Sequence, residues 1–371
     1  MPRRRTILFV GGGTGGHIFP NLAIQERLVE TDAALFRSQF VVSERSLDAK
    51  ILNDLGESFE ALAVQPLTSR FWKWPSFWMN WMKSARSMRG RINPDEVVAV
   101  VATGGFVSGP PVIAASRAGV PVALVNLDAI PGKANRMLAR HVAKVFTVYD
   151  VPRWPHARRI GLPLRRSALG PGRPSRSRAE LGLDADRETL LVVGGSQGAT
   201  SLNRMMPLLC SRLRAGLASW QVLHCAGGGA GEVEAVAKAY EVSGVVARVV
   251  AFCDPLGLAW DAATVAIARA GAGGVAEAWA NHVPTVFLPY PHHRDQHQHH
   301  NVEPLIRAGG CLRFEDLIDP ERNAAALAGP VNELIQHQAT RESMQRRMAE
   351  NQREDGAAVL AAWLAEQSPP P

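Results

Sequence analysis

Residues 6–28 read TILFVGGGTGGHIFPNLAIQERL, and residues 189–213 read TLLVVGGSQGATSLNRMMPLLCSRL. Both follow one plan: a short apolar run, a glycine-rich turn, then a helical pattern. A four- or five-residue apolar run bounded by glycine is the signature of a strand buried on both faces. The turn lets backbone approach a ligand closely, and the helix after it offers unpaired N–H groups to an anion. Each segment therefore reads as the opening unit of a Rossmann-like domain.

Two such openings in 371 residues fit two domains, since a chain this long exceeds what one hydrophobic core usually serves. Further strand candidates follow at 97–102, 122–125 and 145–149, then at 220–224, 248–252, 265–268 and 285–288, with helical patterns between them. The expected class is α/β, with two parallel sheets covered on both faces. VPRWPHARRIGLPLRRSALGPGRPSRSRAE, residues 151–180, is rich in Pro, Gly and Arg and reads as a linker. The expected division is residues 1–163, residues 164–340, and a helical tail over 341–371.

The net charge is +7, with a pI near 9.6. This favours an anionic partner: nucleic acid, a phosphorylated substrate or an anionic membrane surface. Cys210, Cys225, Cys253 and Cys311 are scattered without a CxxC pair, which suits buried thiols in a reducing compartment. The basic start MPRRRTILFV has too short an apolar run for a signal peptide. No run approaches the roughly 18 apolar residues of a membrane span, so any membrane contact is expected to be peripheral.

The glycine turns carry the candidate chemistry. In Gly11–His17 the distinctive residue is His17, since a histidine at a helix start can act as a base near neutral pH; it could equally cap or pack. No acidic residue closes the next strand, where Ser43 stands, which disfavours a nicotinamide dinucleotide. Ser196 and the amides of Gly194–Ala199 could bind a diphosphate. In Ala268–Glu277 a third turn opens a helix, and Glu277 could accept two hydroxyl protons from a ribose diol. Asp295, Gln298 and Asn301, within PYPHHRDQHQHHN, suit sugar hydroxyls better than the five histidines there suit a metal. Asp184-Ala185-Asp186 matches a metal-binding DxD formally but sits where a solvated turn is expected.

GGGTGGHIFPNLA, TGGFVSGPPVIAA, GLPLR, GGSQGATSLN, RAGAGGVAE and DQHQHHN together, in this order and spacing, resemble the MurG glycosyltransferases. That family transfers N-acetylglucosamine from UDP-N-acetylglucosamine to undecaprenyl-diphospho-N-acetylmuramoyl-pentapeptide (lipid I) in peptidoglycan synthesis. The resemblance implies a GT-B fold, two Rossmann-like domains facing a cleft. It places Thr14, Gly15, Gly16 and Asp128 toward the donor, and Arg165 and Ser196 on the UDP-sugar. Ala272, Gly273, Gly274, Val275 and Ala276 would hold diphosphate and ribose, with Glu277 on the ribose hydroxyls. Cys253 would sit where main chain recognises uracil, and Gln298 would contact the sugar. No cofactor and no metal is implied, because helix N-termini and an arginine can stabilise the departing UDP.

One segment departs from the family. Val125 and Asp128 stand where its members often have histidine and asparagine. Asp128 thereby becomes a second candidate base beside His17, and the acceptor is left more open than the donor. A GT-B transferase with another lipid or natural-product acceptor is the nearest alternative, and an epimerase of the same fold is a further one.

RFWKWPSFWMNWMK, residues 70–83, concentrates Trp72, Trp74, Trp78 and Trp81 beside Lys73 and Lys83, with Arg86, Arg89 and Arg91 following. Tryptophan favours the membrane–water interface and basic residues favour anionic head groups. A helix from about Ser76, lying flat on lipid, suits an enzyme whose acceptor is bilayer-anchored; a core helix with long aromatics is the other reading. Nucleic acid is not expected, because RNA readers space aromatics along a sheet rather than along one helix. The resemblance places such a protein peripherally on the cytoplasmic face of the plasma (inner) membrane.

Overall fold

The computed structural model describes residues 5–13, 15–32, 35–64, 74–195, 198–292 and 296–367. The chain divides into two compact units, Met1–Arg165 with Arg353–Pro371, and Arg166–Gln352.

The first unit holds β1 (Arg5–Gly11), β2 (Phe36–Ser43), β3 (Phe59–Leu62), β4 (Val97–Gly104), β5 (Val122–Asn126), β6 (Lys144–Thr147) and β7 (Arg158–Arg159). They form one parallel sheet in the order β3-β2-β1-β4-β5-β6-β7. Alternate side chains of β1 leave by opposite faces. Ile7 and Phe9 pack with Ile18, Leu22, Leu360 and Leu364. Leu8 and Val10 pack with Met88 and Val112. The helices Gly15–Asp32 and Gly356–Glu366 thus cover one face, and Trp74–Arg91 and Gly109–Arg117 the other. An unbroken apolar run in β1 is what such double coverage requires.

The second unit repeats the plan with β8 (Glu188–Val193), β9 (Trp220–Cys225), β10 (Ala247–Val250), β11 (Val265–Ala268), β12 (Thr285–Phe287) and β13 (Cys311–Arg313), parallel in the order β10-β9-β8-β11-β12-β13. Leu190 and Val192 pack with Leu202, Met205 and Leu327. Leu191 and Val193 pack with Trp260, Val275 and Met348. In each sheet the strand order reverses beside the first strand, between β1 and β4 and between β8 and β11. A crevice opens outside the carboxyl ends of the strands at such a reversal, and both quoted glycine turns emerge there.

The tail begins later than the sequence suggested. Residues 341–350 belong to the helix Gln338–Glu350, which stays in the second unit because Met344 and Met348 are buried in its cores and Trp279 Nε1 donates to Met348 O at 2.9 Å. From Arg353 the chain belongs to the first unit. Asp355 caps the helix Gly356–Glu366 by accepting from Ala357 N at 2.9 Å, and its other oxygen accepts from Arg27 Nε at 2.8 Å.

A buried polar chain runs through the second unit beside β9. His224 Nε2 meets Asn203 Oδ1 at 3.1 Å and His224 Nδ1 meets the Tyr240 hydroxyl at 3.0 Å. Asn203 Nδ2 donates to Ala226 O at 3.0 Å and to Glu232 Oε1 at 2.7 Å. Burial pushes His224 down from 6.5 to about 3. The unfolded chain therefore takes up this proton near pH 6.5 while the native chain refuses it. Stability must fall as pH drops below 6.5, with a slope of up to one proton, or about 2 kcal/mol by pH 5. His224→Gln retains a donor and an acceptor but does not titrate. Denaturant melts of both proteins between pH 7 and 5 should show the variant losing less stability; equal slopes would refute this account.

Candidate active site

In the first unit the turns after β1 and β4 meet face to face. Gly105 has φ +83°, and a Cβ there would stand 2.5 Å from Gly12 O, so backbone conformation and close approach both demand glycine. Asp48 braces the β1 turn from within. Its Oδ2 accepts from Gly13 N at 2.7 Å and from Ser43 Oγ at 2.5 Å. Arg45 Nη1 donates to Gly13 O at 2.5 Å, and its guanidinium stands 5.7 Å from the centre of the Phe106 ring. Thr103 Oγ1, at the end of β4, donates to His17 O at 2.7 Å and accepts from Asn21 Nδ2 at 3.1 Å.

His17 lies in the first turn of its helix, half-buried. Burial lowers its pKa, while the negative charges of Asp128 and Asp48 and a hydrogen bond with the Gly12 backbone act in the opposite direction. The imidazole is therefore neutral near pH 7 and has negative charge at hand for the imidazolium. Asp128 follows β5, where Asn126 Nδ2 donates to its carbonyl at 2.7 Å and Asn135 Nδ2 donates to Asn126 Oδ1 at 3.3 Å. The same negative charge acts on Tyr149, whose hydroxyl is pushed up by burial and then by Asp128, against the Arg353 guanidinium. The two bases weighed separately from the sequence thus form one electrostatic group. Asp48, Tyr149 and Asn135 belong to this neighbourhood but carried no motif of their own.

Gly15 and Gly16 open the His17 helix, and Thr14 lies outside the described residues. Arg165 is paired with Glu26, Nε to Oε1 at 2.9 Å, so a phosphate would have to compete with that carboxylate for it.

In the second unit the helix Ala272–Ala280 begins at the end of β11, with Gly271 as its cap and Ala272, Gly273, Gly274, Val275 and Ala276 along its opening turns. A Cβ at Gly271 would meet nothing within 4 Å and one at Gly273 only Glu277 Oε1, at 3.8 Å, so the mouth of the helix is open to a ligand. Glu277 lies beyond the first turn of this helix, where the helix dipole has little hold on a carboxylate. Trp260 Nε1 donates to its Oε2 at 3.1 Å. Burial raises its pKa, and that hydrogen bond lowers it. Cys253, after β10, is buried; burial pushes its thiol up, and its Sγ lies 3.8 Å from Pro255 O, so its side chain is a packing group and only its backbone is suited to reading a base.

Ser196 lies outside the described residues, as does Asp295. Gln298 Oε1 accepts from Tyr290 N at 2.8 Å, so its oxygen stitches the loop and only its NH2 group is left to offer a sugar. Asp184 holds a turn, accepting from Asp186 N at 3.0 Å and standing 3.6 Å from Arg187.

The tryptophan-rich stretch forms the helix Trp74–Arg91, with Trp72 and Lys73 outside the described residues. Trp78 is 56% exposed, Met79 54% and Met82 57%. Lys83, Arg86 and Arg89 are exposed beside them. Trp81 is a correction to the expected lipid-facing set: its ring lies against Gly109 and the buried core, so it anchors the helix instead. Among the described residues no helix is long and apolar enough to cross a membrane.

Residues 7–147 match the glycosyltransferase family 28 N-terminal domain, and residues 189–360 its C-terminal domain. Two parallel-sheet units with glycine turns at their strand reversals are accordingly those of a family 28 glycosyltransferase of the GT-B class. The UDP-N-acetylglucosamine--N-acetylmuramyl-(pentapeptide) pyrophosphoryl-undecaprenol N-acetylglucosamine transferase of Syntrophus aciditrophicus is 32% identical over 357 residues, covering 92% of this chain and 93% of that one. Its namesake from Leifsonia xyli is 35% identical over 321 residues, covering 83% and 84%. A crystal structure of Acinetobacter baumannii MurG shares the fold, with a TM-score of 0.75 at 21% identity over 98% and 99% of the two chains. The chain belongs to this family of N-acetylglucosamine transferases, the MurG family.

Proposed function

We propose that this protein transfers N-acetylglucosamine from UDP-N-acetylglucosamine to lipid I, with inversion at the anomeric carbon and no metal ion. The observation that carries the reading is identity of 32% and 35% with transferases of that name along most of the chain. The geometry of each unit supports it separately.

The first unit supplies the base. His17, neutral through burial, removes the proton of the acceptor hydroxyl as that oxygen attacks the anomeric carbon. Asp128 then steadies the imidazolium, so the pair divides the work that the sequence left to one or the other. The second unit holds the donor. The open N-terminus of Ala272–Ala280 faces the diphosphate, Glu277 accepts from the ribose hydroxyls, and Gln298 donates to the sugar. As the bond from the anomeric carbon to the phosphate oxygen breaks, the electron pair leaves on UDP, and the helix N–H groups and Arg165 meet that charge. The face of Trp78, Met79 and Met82, with its basic border, rests on the anionic membrane carrying the acceptor, on its cytoplasmic side.

The test is transfer of radiolabel from UDP-N-acetylglucosamine to a short-chain lipid I analogue in the presence of EDTA. Labelled lipid product is expected. Donor binding without transfer would instead favour a different acceptor, for which Val125 and Asp128 are the first residues to examine.

A further inference from the structure

One buried ion pair in the second unit ties together the loops that follow four strands. Arg269 ends the β11 strand segment at the glycine turn. Its Nη1 donates to Leu288 O at 2.9 Å and Pro289 O at 3.4 Å, both just after β12. Its Nη2 donates to Asp316 Oδ2 at 2.7 Å, beyond β13, and to Ser201 Oγ at 2.5 Å, in the first turn of the helix following β8. The guanidinium also stands 5.7 Å from the centre of the Tyr290 ring, and Tyr290 N is the group that holds Gln298. The side chains of Arg269 and Asp316 are 10% and 1% exposed.

Asp316 has no lone pair to spare for a second role. Oδ2 accepts from Arg269 and from the Ser201 hydroxyl at 2.6 Å. Oδ1 accepts from Asn323 Nδ2 and Ile318 N, each at 2.8 Å. Burial alone would raise this carboxyl, but the hydrogen bonds from Ser201, Asn323, Ile318 and Arg269 outweigh it and hold it ionised. A buried charge pair is weak support for stability, because desolvation offsets the attraction. What this one fixes is relative position, since four backbone segments meet on two side chains.

We propose that Arg269 and Asp316 are positioning residues for the UDP-sugar: they touch no reacting atom, and they set the spacing of Ser201, of the Arg269–Glu277 segment and of Leu288–Tyr290, whose last residue holds Gln298, around the site that binds it. The proposal rests on the donor reading given above. A planar guanidinium with two NH2 ends spans the carbonyls on one side and the carboxylate and hydroxyl on the other; a lysine ammonium has one end and must choose. Displacements of the order of an ångström in a substrate-holding loop are costly to binding and rate.

The experiment compares Arg269→Lys, Ser201→Ala and Asp316→Asn with the parent. Affinity for UDP is read by calorimetry, and KM is read separately for UDP-N-acetylglucosamine and for the lipid I analogue. Arg269→Lys keeps the charge pair and the fold, and should raise the donor KM and the UDP Kd roughly tenfold while the acceptor KM stays within about twofold. Ser201→Ala removes one tie at a half-buried position, and should give a smaller shift of the same kind. Asp316→Asn turns an NH2 group toward two donors, and should have the largest effect or fail to fold. Unchanged donor KM and UDP Kd in folded Arg269→Lys and Ser201→Ala would overturn the proposal, as would equal shifts for both substrates, the mark of a merely structural role. Glu277→Gln guards the premise: if the parent binds UDP and Glu277→Gln weakens it, the donor reading stands whatever the ion pair does, and if the parent binds no UDP the premise itself has failed.

Discussion

His17→Ala should lower kcat by about 10²- to 10⁴-fold with little change in the KM for UDP-N-acetylglucosamine, the loss associated with a general base that acts in the transition state. The expectation depends on where the imidazole sits. Its ring is half-buried, and its pKa lies below 6.5 because desolvation outweighs the charges of Asp128 and Asp48. At pH 7 it is free of a proton and can take one. The acid limb of the kcat profile should accordingly fall below 6.5. Asp128→Asn separates the role of base, for which the sequence made Asp128 a candidate, from the role of steadying the imidazolium, which its charge beside His17 supports. If Asp128 only steadies the imidazolium, removing its charge lowers the His17 pKa further, moves the acid limb to lower pH, and leaves a weaker but working base. If Asp128 were itself the base, its loss would match that of His17→Ala and the limb near the histidine range would persist in what activity remained. The family often has asparagine at this place, which makes survival of Asp128→Asn the sharper expectation. Two folded variants with equal, near-complete losses would sink the assignment of His17.

The twofold plan was legible because it is written in short-range terms. A run such as Ile7–Val10 must be a strand covered on both sides, and a glycine turn followed by a helical pattern must lie at its carboxyl end. The four strands β4, β5, β9 and β11 carry runs of the same kind and were readable for the same reason. The strands β3, β7 and β13 were not. FEAL, RR and CLR are four residues or fewer, and all three strands are sheet edges, where one neighbour suffices and no apolar pattern is imposed. The candidate site divides along the same line. His17 and Glu277 lie in the helices that the glycine turns open, close behind the glycines that announce them. Asp48 and Asp316 are single acids in stretches without a motif; each gains its role by accepting hydrogen bonds from loops remote in the chain, which only the folded sheet brings to it. Trp81 shows the converse. Its neighbours at 78, 79 and 82 share its apolar character, but helical geometry turns it toward Gly109, and only the packing of Gly109–Arg117 says which side of the helix is inside.

That division of the helix decides the second large effect. Replacing Trp78, Met79 and Met82 together by serine should reduce partitioning onto vesicles containing anionic lipid by roughly 100-fold. Each side chain is a little over half exposed, so each has about half its surface left to bury. At about 1.5–3 kcal/mol for complete burial of a large apolar side chain, three such halves contribute on the order of 3 kcal/mol, and 1.4 kcal/mol is a factor of ten. The basic border adds a term of different character. Lys83, Arg86 and Arg89 near an anionic surface contribute about 1 kcal/mol each at physiological ionic strength and are screened as salt rises. The triple-serine variant should therefore retain weak binding that disappears in high salt, whereas the parent should keep its apolar part. Because these three side chains point away from the core that Met88 and Trp81 secure, the variant should melt with the parent and should turn over a short-chain, water-soluble acceptor at the parental rate, losing activity only against acceptor held in a bilayer. Vesicle binding equal to the parent's would remove this face as the membrane contact. Equal losses on soluble and bilayer-held acceptor would place its role in folding or catalysis instead, and the clustering of tryptophan with basic residues would need another cause.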